Sequence, residues 1–343
     1  YSDALGTVDI PDPGVKWKDS VTNWNQVCNA GLACAALATF ESNPVAAEAM
    51  VKECVARNRP VMKQLYGPDG VYSEGPVYWC YGTMFQTLLI SALESALGTD
   101  FGLCGNDGFD KTGDFRTACD GNTGYSFNYA DNLPVIFPAY PLWYLAWRFN
   151  KPSLVWNEVK RSSLVHAESE RLAPLYIIYA SRLDVSKLKP CSETTYFGVG
   201  KTIVMMTRGG FAPDAAYLAS KGGPLDSGHG HLDGGEFVYE YNGVRWACDV
   251  PRQEYAPLEV GCRQLGGNLW DVSQGSVRWK LFRYNNRQHN TLTINDKDHD
   301  VKGSAKLVKF IDKPSRKGVC FDLTDLFYSD VESAVRTTTL ENK

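Results

Sequence analysis

The hydrophobic repeat of this 343-residue chain changes once, and that change constrains the fold more than any other feature of the sequence. Up to about Leu183 apolar residues recur at helical spacing, and from Thr194 onward they alternate with polar ones. The stretch between, DVSKLKPCSE, keeps neither period and marks a boundary. The pattern predicts an α+β chain of two domains: helices over 1–185, then an antiparallel sheet over 186–343. A chain of this length is long enough to give each its own core.

In the helical half, Asn43-Pro44 supplies a cap followed by the one residue that loses nothing at a first helical position. The run VAAEAMVKECVARN after it is rich in helix formers. Pro76 through Leu97 reads as a second helix closed by Gly98, where left-handed caps are common. Further helices are expected at 21–41, 134–149, 152–162 and 171–182. Helix pairs joined by long loops such as GPDGVYSEG suggest an α-helical array, a toroid. In the other half, Asn242-Gly243 sits between two alternating runs in EFVYEYNGVRWACDV, a strong hairpin signal. TIVMMTRGG, AAYLAS, NTLTIN, KLVKFID, GVCFDLT and AVRTTTL read as further strands. The helical half and the last strand pattern both read as parts of a longer protein.

Composition removes several function classes. A formal net charge of −4 offers no global basic field for a polyanion such as nucleic acid, so an acidic ligand must meet local groups. No apolar run approaches the roughly 20 residues needed to span a bilayer. The chain starts at Tyr1 without the pattern of a leader peptide. Among the ten cysteines, Cys28, Cys34, Cys54 and Cys80 fall inside alanine-rich helical patterns, where a thiol acts as a small hydrophobe, and no CxxC pair occurs.

The chemistry concentrates in Asp226–Asp249, DSGHGHLDGGEFVYEYNGVRWACD, and in RQHNTLTIN beyond it. His231, Asp249 and His289 supply two imidazoles and one carboxylate, a donor set that suits zinc. His229 is left for chemistry, and in a strand it shares a face with His231.

A helical array leading into a sheet that carries GHGHLDGGEFVYEYNGVRWACD and RQHNTLTIN resembles the heparinase II/III-like polysaccharide lyases. NWNQVCNAG at 23–31, DGVYSEGPVYWCYG at 69–82 and FNYAD at 127–131 are similar to motifs of that family's helical domain. The resemblance implies an incomplete (α/α) toroid against a β-sandwich, with a cleft between them and a structural zinc ion held by His231, Asp249 and His289. It implies β-elimination on an acidic, uronic-acid-containing polysaccharide, either heparin- or heparan-sulfate-like or alginate-like, in the periplasm or outside the cell. It also makes His229 an active-site imidazole. Several members carry Asn-His where this chain has Asn23-Trp24, and some carry Asn where it has Gly228, so a tyrosine must move protons in both directions.

Elimination needs the uronate charge neutralised while the proton beside it is removed. Asn23 and His229 are the expected neutralising groups. Tyr81 or Tyr78, three apart on one helix, is the expected base, with Tyr81 slightly favoured by spacing from Asn23. Tyr255 is their partner from the sheet side. Trp24, Gln26 and Asn128 are candidate sugar contacts. Asp131 reads as a helix cap, Asp69 as a turn residue and Glu74 as a loop or helix-entry residue. Two alternatives stay open: an (α/α)-toroid glycoside hydrolase, for which Glu74 would be essential, and a non-catalytic glycan-binding protein.

Overall fold

A computed structural model describes residues 17–162, 172–227, 229–328 and 330–341, so Gly228 and the first position of the helix expected at 171–182 lie outside it. The chain divides into two compact units. One comprises residues up to Gly70, Tyr78–Gly113 and Phe137–Cys191. The other comprises Val71–Val77, Asp114–Ile136 and everything from Ser192. The sequence reading placed one border between 185 and 186. The second unit instead also takes two strips from the helical half of the chain.

In the first unit, α1 (Asn23–Ala38) packs through Ala30, Ala33 and Ala36, all fully buried, against α2 (Pro44–Tyr66). The Asn43 side chain accepts from the Ala46 N–H at 3.2 Å, the cap that the sequence predicts. The next helix, α3 (Gly75–Leu97), runs into this unit from the other and stops at Gly98, whose φ is +71°. Buried amides cross-link the three: Gln26 Nε2 donates to Tyr66 Oη at 2.6 Å, and Gln86 and Asn58 bond each other at 2.8 and 2.9 Å. Such a layer stabilises only because each member is satisfied. The helix α4 (Thr112–Ala118) leads into the second unit's longer strip. The helix expected at 134–149 forms only as α5 (Pro141–Arg148). Ahead of it the chain is irregular, with the Ala139 N–H held by the buried Glu158 carboxylate at 2.8 Å. Residues 152–162 split into a 3₁₀ turn and α6 (Glu158–Ser162), and α7 (Ala173–Ala180) follows.

The second unit is an eight-stranded antiparallel sheet: β1 (Thr195–Val199), β2 (Ile203–Arg208), β3 (Tyr217–Pro224), β4 (Phe237–Tyr241), β5 (Val244–Ala247), β6 (Ser304–Lys313), β7 (Arg316–Asp322) and β8 (Val335–Glu341). The main path runs β1-β2-β3-β6-β7-β8, with β4 on β3 and β5 on β4. The hairpin turns on Asn242 and Gly243 at φ +54° and +74°, as its sequence requires. NTLTIN is not a strand. The Asn290 side chain donates to the carbonyls of Phe237 and Cys248, and Thr291 Oγ1 donates to that of Gly234, so side chains hold the loop without a ladder. A helix absent from the sequence reading, α8 (Tyr255–Gln264), is inserted after β5.

The strip Asp114–Ile136 is stitched to this sheet by buried polar groups. Arg208 donates to the Ala118 and Asp120 carbonyls, and Tyr217 to that of Ala118. The fully buried Glu240 carboxylate accepts from the Asn122 and Thr123 N–H groups and from Arg245 Nε. A Cβ at Gly121 would stand 2.3 Å from Glu240 Oε1, so any larger residue must push that bonded carboxylate aside. All ten cysteines are free. Among the described residues no helix is long and apolar enough to cross a membrane.

Candidate functional site

The site is centred on Asp131, a buried residue of that strip in the second unit. Its Oδ2 lies 3.1 Å from His229 Nδ1 and accepts from Tyr255 Oη at 3.1 Å, and Tyr255 Oη is itself 3.1 Å from His229 Nδ1. Its Oδ1 lies 3.1 Å from His231 Nε2 and 3.4 Å from Arg283 Nη2. Burial alone would push this carboxyl upward. The hydrogen bonds from His229 and His231, with the charges of His231 and Arg278, outweigh it and hold Asp131 well below the usual carboxylate range. Asp131 is therefore an ionised, multiply bonded anchor.

Local geometry explains how the histidines arrive there. Neither lies in a strand, contrary to the sequence reading. His229 has φ +60°, the left-handed region, and the turn closes with the Gly230 N–H on the Ser227 carbonyl at 2.9 Å. A side chain at Gly230 would press on the Leu225 and Ser227 carbonyls at 2.8 Å. Buried Arg278 clamps the turn by donating to the Gly230 carbonyl at 2.9 Å and to that of Leu269 at 3.0 Å. Tyr255 is the first residue of α8, which fixes its ring beside the turn. Glu74 Oε1 lies 3.9 Å from His229 Nε2. Gly75 at φ +83° brings Glu74 in, where Asn132 Nδ2 bonds the Glu74 carbonyl at 3.0 Å.

Behind this lies a second, wholly buried cluster in which one potential ligand atom from each of Glu236, Asp249 and His289 lies within 4.8 Å of the others. His289 Nε2 is 3.0 Å from the Arg283 carbonyl, which makes it the donor and turns Nδ1 toward Asp249 Oδ1 at 2.5 Å and Glu236 Oε2 at 3.5 Å. Asp249 Oδ2 and both Glu236 oxygens are buried without hydrogen-bond partners. Burial opposes the His289 charge, but Asp249 and Glu236 outweigh it and hold its pKa well above the ordinary imidazole value. Burial, then the Asp249 and Asp233 charges, push Glu236 up to about 8.

Orphaned carboxylate oxygens facing an oriented imidazole fit a small divalent cation, which would take the place of the shared proton. Two of the three expected ligands, Asp249 and His289, stand in this cluster, with Glu236 as the third member. His231 lies outside it, because its Nε2 faces Asp131. Its Nδ1 is buried without a hydrogen-bond partner, and its ring centroid lies 5.1 Å from that of His289. Burial, together with the His289 and Arg283 charges, lowers His231 to about 4 despite Asp131.

The structure brings together His229 and Tyr255 around an aspartate that the sequence reading set aside as a cap. Asn128 is fully buried and donates to the Asp249 carbonyl at 3.3 Å, so it braces the backbone of the buried acid cluster and is no sugar contact. Asn23, Trp24, Gln26, Tyr78 and Tyr81 belong to the first unit. Asn23 is buried and Trp24 is exposed at the start of α1. Gln26 is a core residue of the amide layer, which corrects its reading as a sugar contact. Tyr78 and Tyr81 are both half-buried on α3, and the Tyr81 ring meets Phe85 edge-on at 5.4 Å.

Residues 199–320 match the family model described as heparinase II/III-like, C-terminal, in agreement with the resemblance drawn from the sequence. No curated protein matches the chain. The fold is similar to that of the heparan sulfate lyase HepC from Pedobacter heparinus, at 13% identity and a TM-score of 0.61 over 99% of this chain and 46% of that one. A heparinase III is similar at 14% identity and a TM-score of 0.58, over 93% of this chain and 45% of that one. This chain spans less than half the length of the structures it matches. These likenesses give the chain a heparinase-like fold of helices plus antiparallel sheet.

Proposed function

We propose that this chain is the working part of a polysaccharide lyase that cleaves a uronic-acid-containing glycan by β-elimination. The observation that carries the reading is the triangle of Asp131, His229 and Tyr255, with His229 and Tyr255 inside the stretch that matches the heparinase II/III-like model. On this reading the helical unit belongs to an incomplete (α/α) toroid and the sheet to a β-sandwich. Phe197 on β1 stacks on Phe310 of β6 at 4.2 Å although two strands separate them in the sheet order, which supports a sheet folded over on itself. The protein works in the periplasm or outside the cell, where such polymers occur.

In the reaction the carbon beside the uronate carboxylate loses its proton. The electron pair left behind forms a carbon–carbon double bond, and the glycosidic oxygen departs with a proton. His229, holding Asp131 through its Nδ1 proton, turns an Nε2 proton toward the uronate carboxylate and neutralises the charge that builds there. Tyr255 Oη, as phenolate held by the His229 charge, takes the proton from the carbon beside the carboxylate and then, as phenol, gives it to the departing glycosidic oxygen, which returns the phenolate. Asp131 does not touch the sugar; it orients His229 and Tyr255 together. Asp249 and His289, with Glu236, would hold a zinc ion that supplies a fixed point for the loop ahead of β4 and so for His229.

Incubation with heparan sulfate, heparin and alginate tests this directly. An eliminase releases products with a conjugated double bond that absorbs in the ultraviolet. New reducing ends without that absorbance would mean hydrolysis, and binding without product would mean a glycan-binding protein; either replaces the proposal.

A further inference from the structure

Trp270, which no role considered so far uses, stands beside the Tyr255 and His229 rings. Its ring centroid lies 5.0 Å from that of Tyr255 and 5.8 Å from that of His229, the latter at an interplanar angle of 85°. It is 46% exposed in spite of these contacts. The side chain is tethered as well as packed. Its Nε1 donates to Glu259 Oε1 at 2.9 Å, and Glu259 lies one turn along α8 from Tyr255, on the same face. Its backbone N–H is held by Asn268 Oδ1 at 2.9 Å, and the preceding residue, Leu269, is buried with its carbonyl bonded to Arg278 at 3.0 Å. Arg278 is also the clamp on the Gly230 turn, so one guanidinium sets the positions of His229 and Trp270 together. The Arg252 guanidinium lies 6.0 Å from the Tyr255 ring centroid and is paired with Glu254 Oε1 at 3.2 Å.

A large flat ring left open next to proton-transferring groups, and fixed by polar bonds at its edge, is suited to hold a flat-faced ligand. A pyranose has such a face, where its ring C–H bonds point to one side. We propose that Trp270 is the stacking platform for the sugar that adjoins the reacting uronate, with Arg252 turned toward that sugar's carboxylate or sulfate. This rests on the lyase reading above and adds the residue that sets affinity beside the reacting bond.

The test uses Tyr255→Phe as an inactive background, so that binding is measured without turnover. An oligosaccharide of heparan sulfate or alginate is titrated calorimetrically into that variant, and into the same variant carrying Trp270→Ala or Trp270→Phe. The expected result is a loss of roughly tenfold in affinity with alanine, and recovery of most of it with phenylalanine, which keeps a ring. In the otherwise unaltered enzyme, Trp270→Ala should raise KM by a similar factor and leave kcat and its pH profile nearly in place. Affinity unchanged by Trp270→Ala, or a fall in kcat with a displaced pH profile, overturns the platform, since the latter means that Trp270 acts through Tyr255. An absence of binding by any acidic oligosaccharide, in every variant and in the parent, overturns the lyase reading beneath it.

Discussion

His231 and His289 lie 5.1 Å apart, both buried, yet one is driven down to about 4 and the other well above the ordinary imidazole range. The difference is in what each faces. His231 meets Asp131, a carboxylate already shared among His229, Tyr255 and Arg283, and burial dominates. His289 meets Asp249 and Glu236, three of whose four oxygens have no hydrogen-bond partner, and their charge dominates. The two halves of the site are built oppositely. Around Asp131 the carboxylate itself is bonded by His229, His231 and Tyr255, although His231 Nδ1 and the Arg283 nitrogens lack hydrogen-bond partners, and the rim, His229, reaches solvent. Around Asp249 the acids are sealed and unfinished, an arrangement that asks for a cation.

Four experiments press on that contrast. Removing the hydroxyl at the rim should have the largest effect: Tyr255→Phe should lower turnover by roughly 10²- to 10⁴-fold in the ultraviolet assay while the melting temperature hardly moves. Full turnover would take Tyr255 out of the chemistry. Asp131→Ala leaves His231 and Arg283 facing a hole and should cost about 3–5 kcal/mol in denaturant unfolding along with the activity. A stable but inactive variant would make Asp131 dispensable as an anchor.

The third experiment is a pH series on metal-free protein. The unfolded His231 titrates near 6.5, so the unfolded chain takes up more protons between about 6.5 and 4, and stability falls as the pH is lowered through that window. Glu236 tilts the other way, because its folded pKa of about 8 exceeds its unfolded value, so stability falls as the pH rises from about 4.5 to 8. His231→Gln should remove its own share of the acid-side loss, up to about 3 kcal/mol, leaving that of buried His299, which is also lowered to about 4, and Glu236→Gln should remove its share of the opposite slope, leaving that of His289. Identical profiles for the two variants would erase the contrast between the clusters. Asp131 does not confuse the window, since its stabilising charge is lost only below the ordinary carboxylate range. The smallest effect is expected for metal affinity. Glu236→Gln should weaken zinc retention roughly 10- to 100-fold in a chelator competition, with Asp249→Asn and His289→Ala more severe. Equal retention would remove Glu236 from the set.

Much of this could be read from the sequence because chain geometry enforces it. Asn242-Gly243 demands its turn, and one hairpin then carries the chain on to Asp249. His229, Asp249, His289 and Tyr255 stood out because few residue types offer their chemistry, and the structure places His229 beside Tyr255 and His289 beside Asp249. Asp131 was not, since an aspartate near a turn caps helices far more often than it anchors histidines. Glu236 was hidden because it opens an apolar alternating run, where a glutamate reads as the solvent-facing position. NTLTIN alternates like a strand, but its Asn and Thr side chains bond neighbouring carbonyls instead. Helix α8 has a glycine and a proline inside ten residues, so its propensity is weak.

The strip Asp114–Ile136 has a genetic consequence. A gene fragment cut at the border suggested by the change of hydrophobic period, or at residue 199 where the family match begins, would encode the sheet without its central acid. Exchange of sheet modules between related genes should therefore succeed only when both parents carry compatible partners for Arg208, Tyr217 and Arg245 upstream, so that inheritance couples two stretches that lie far apart in the reading frame.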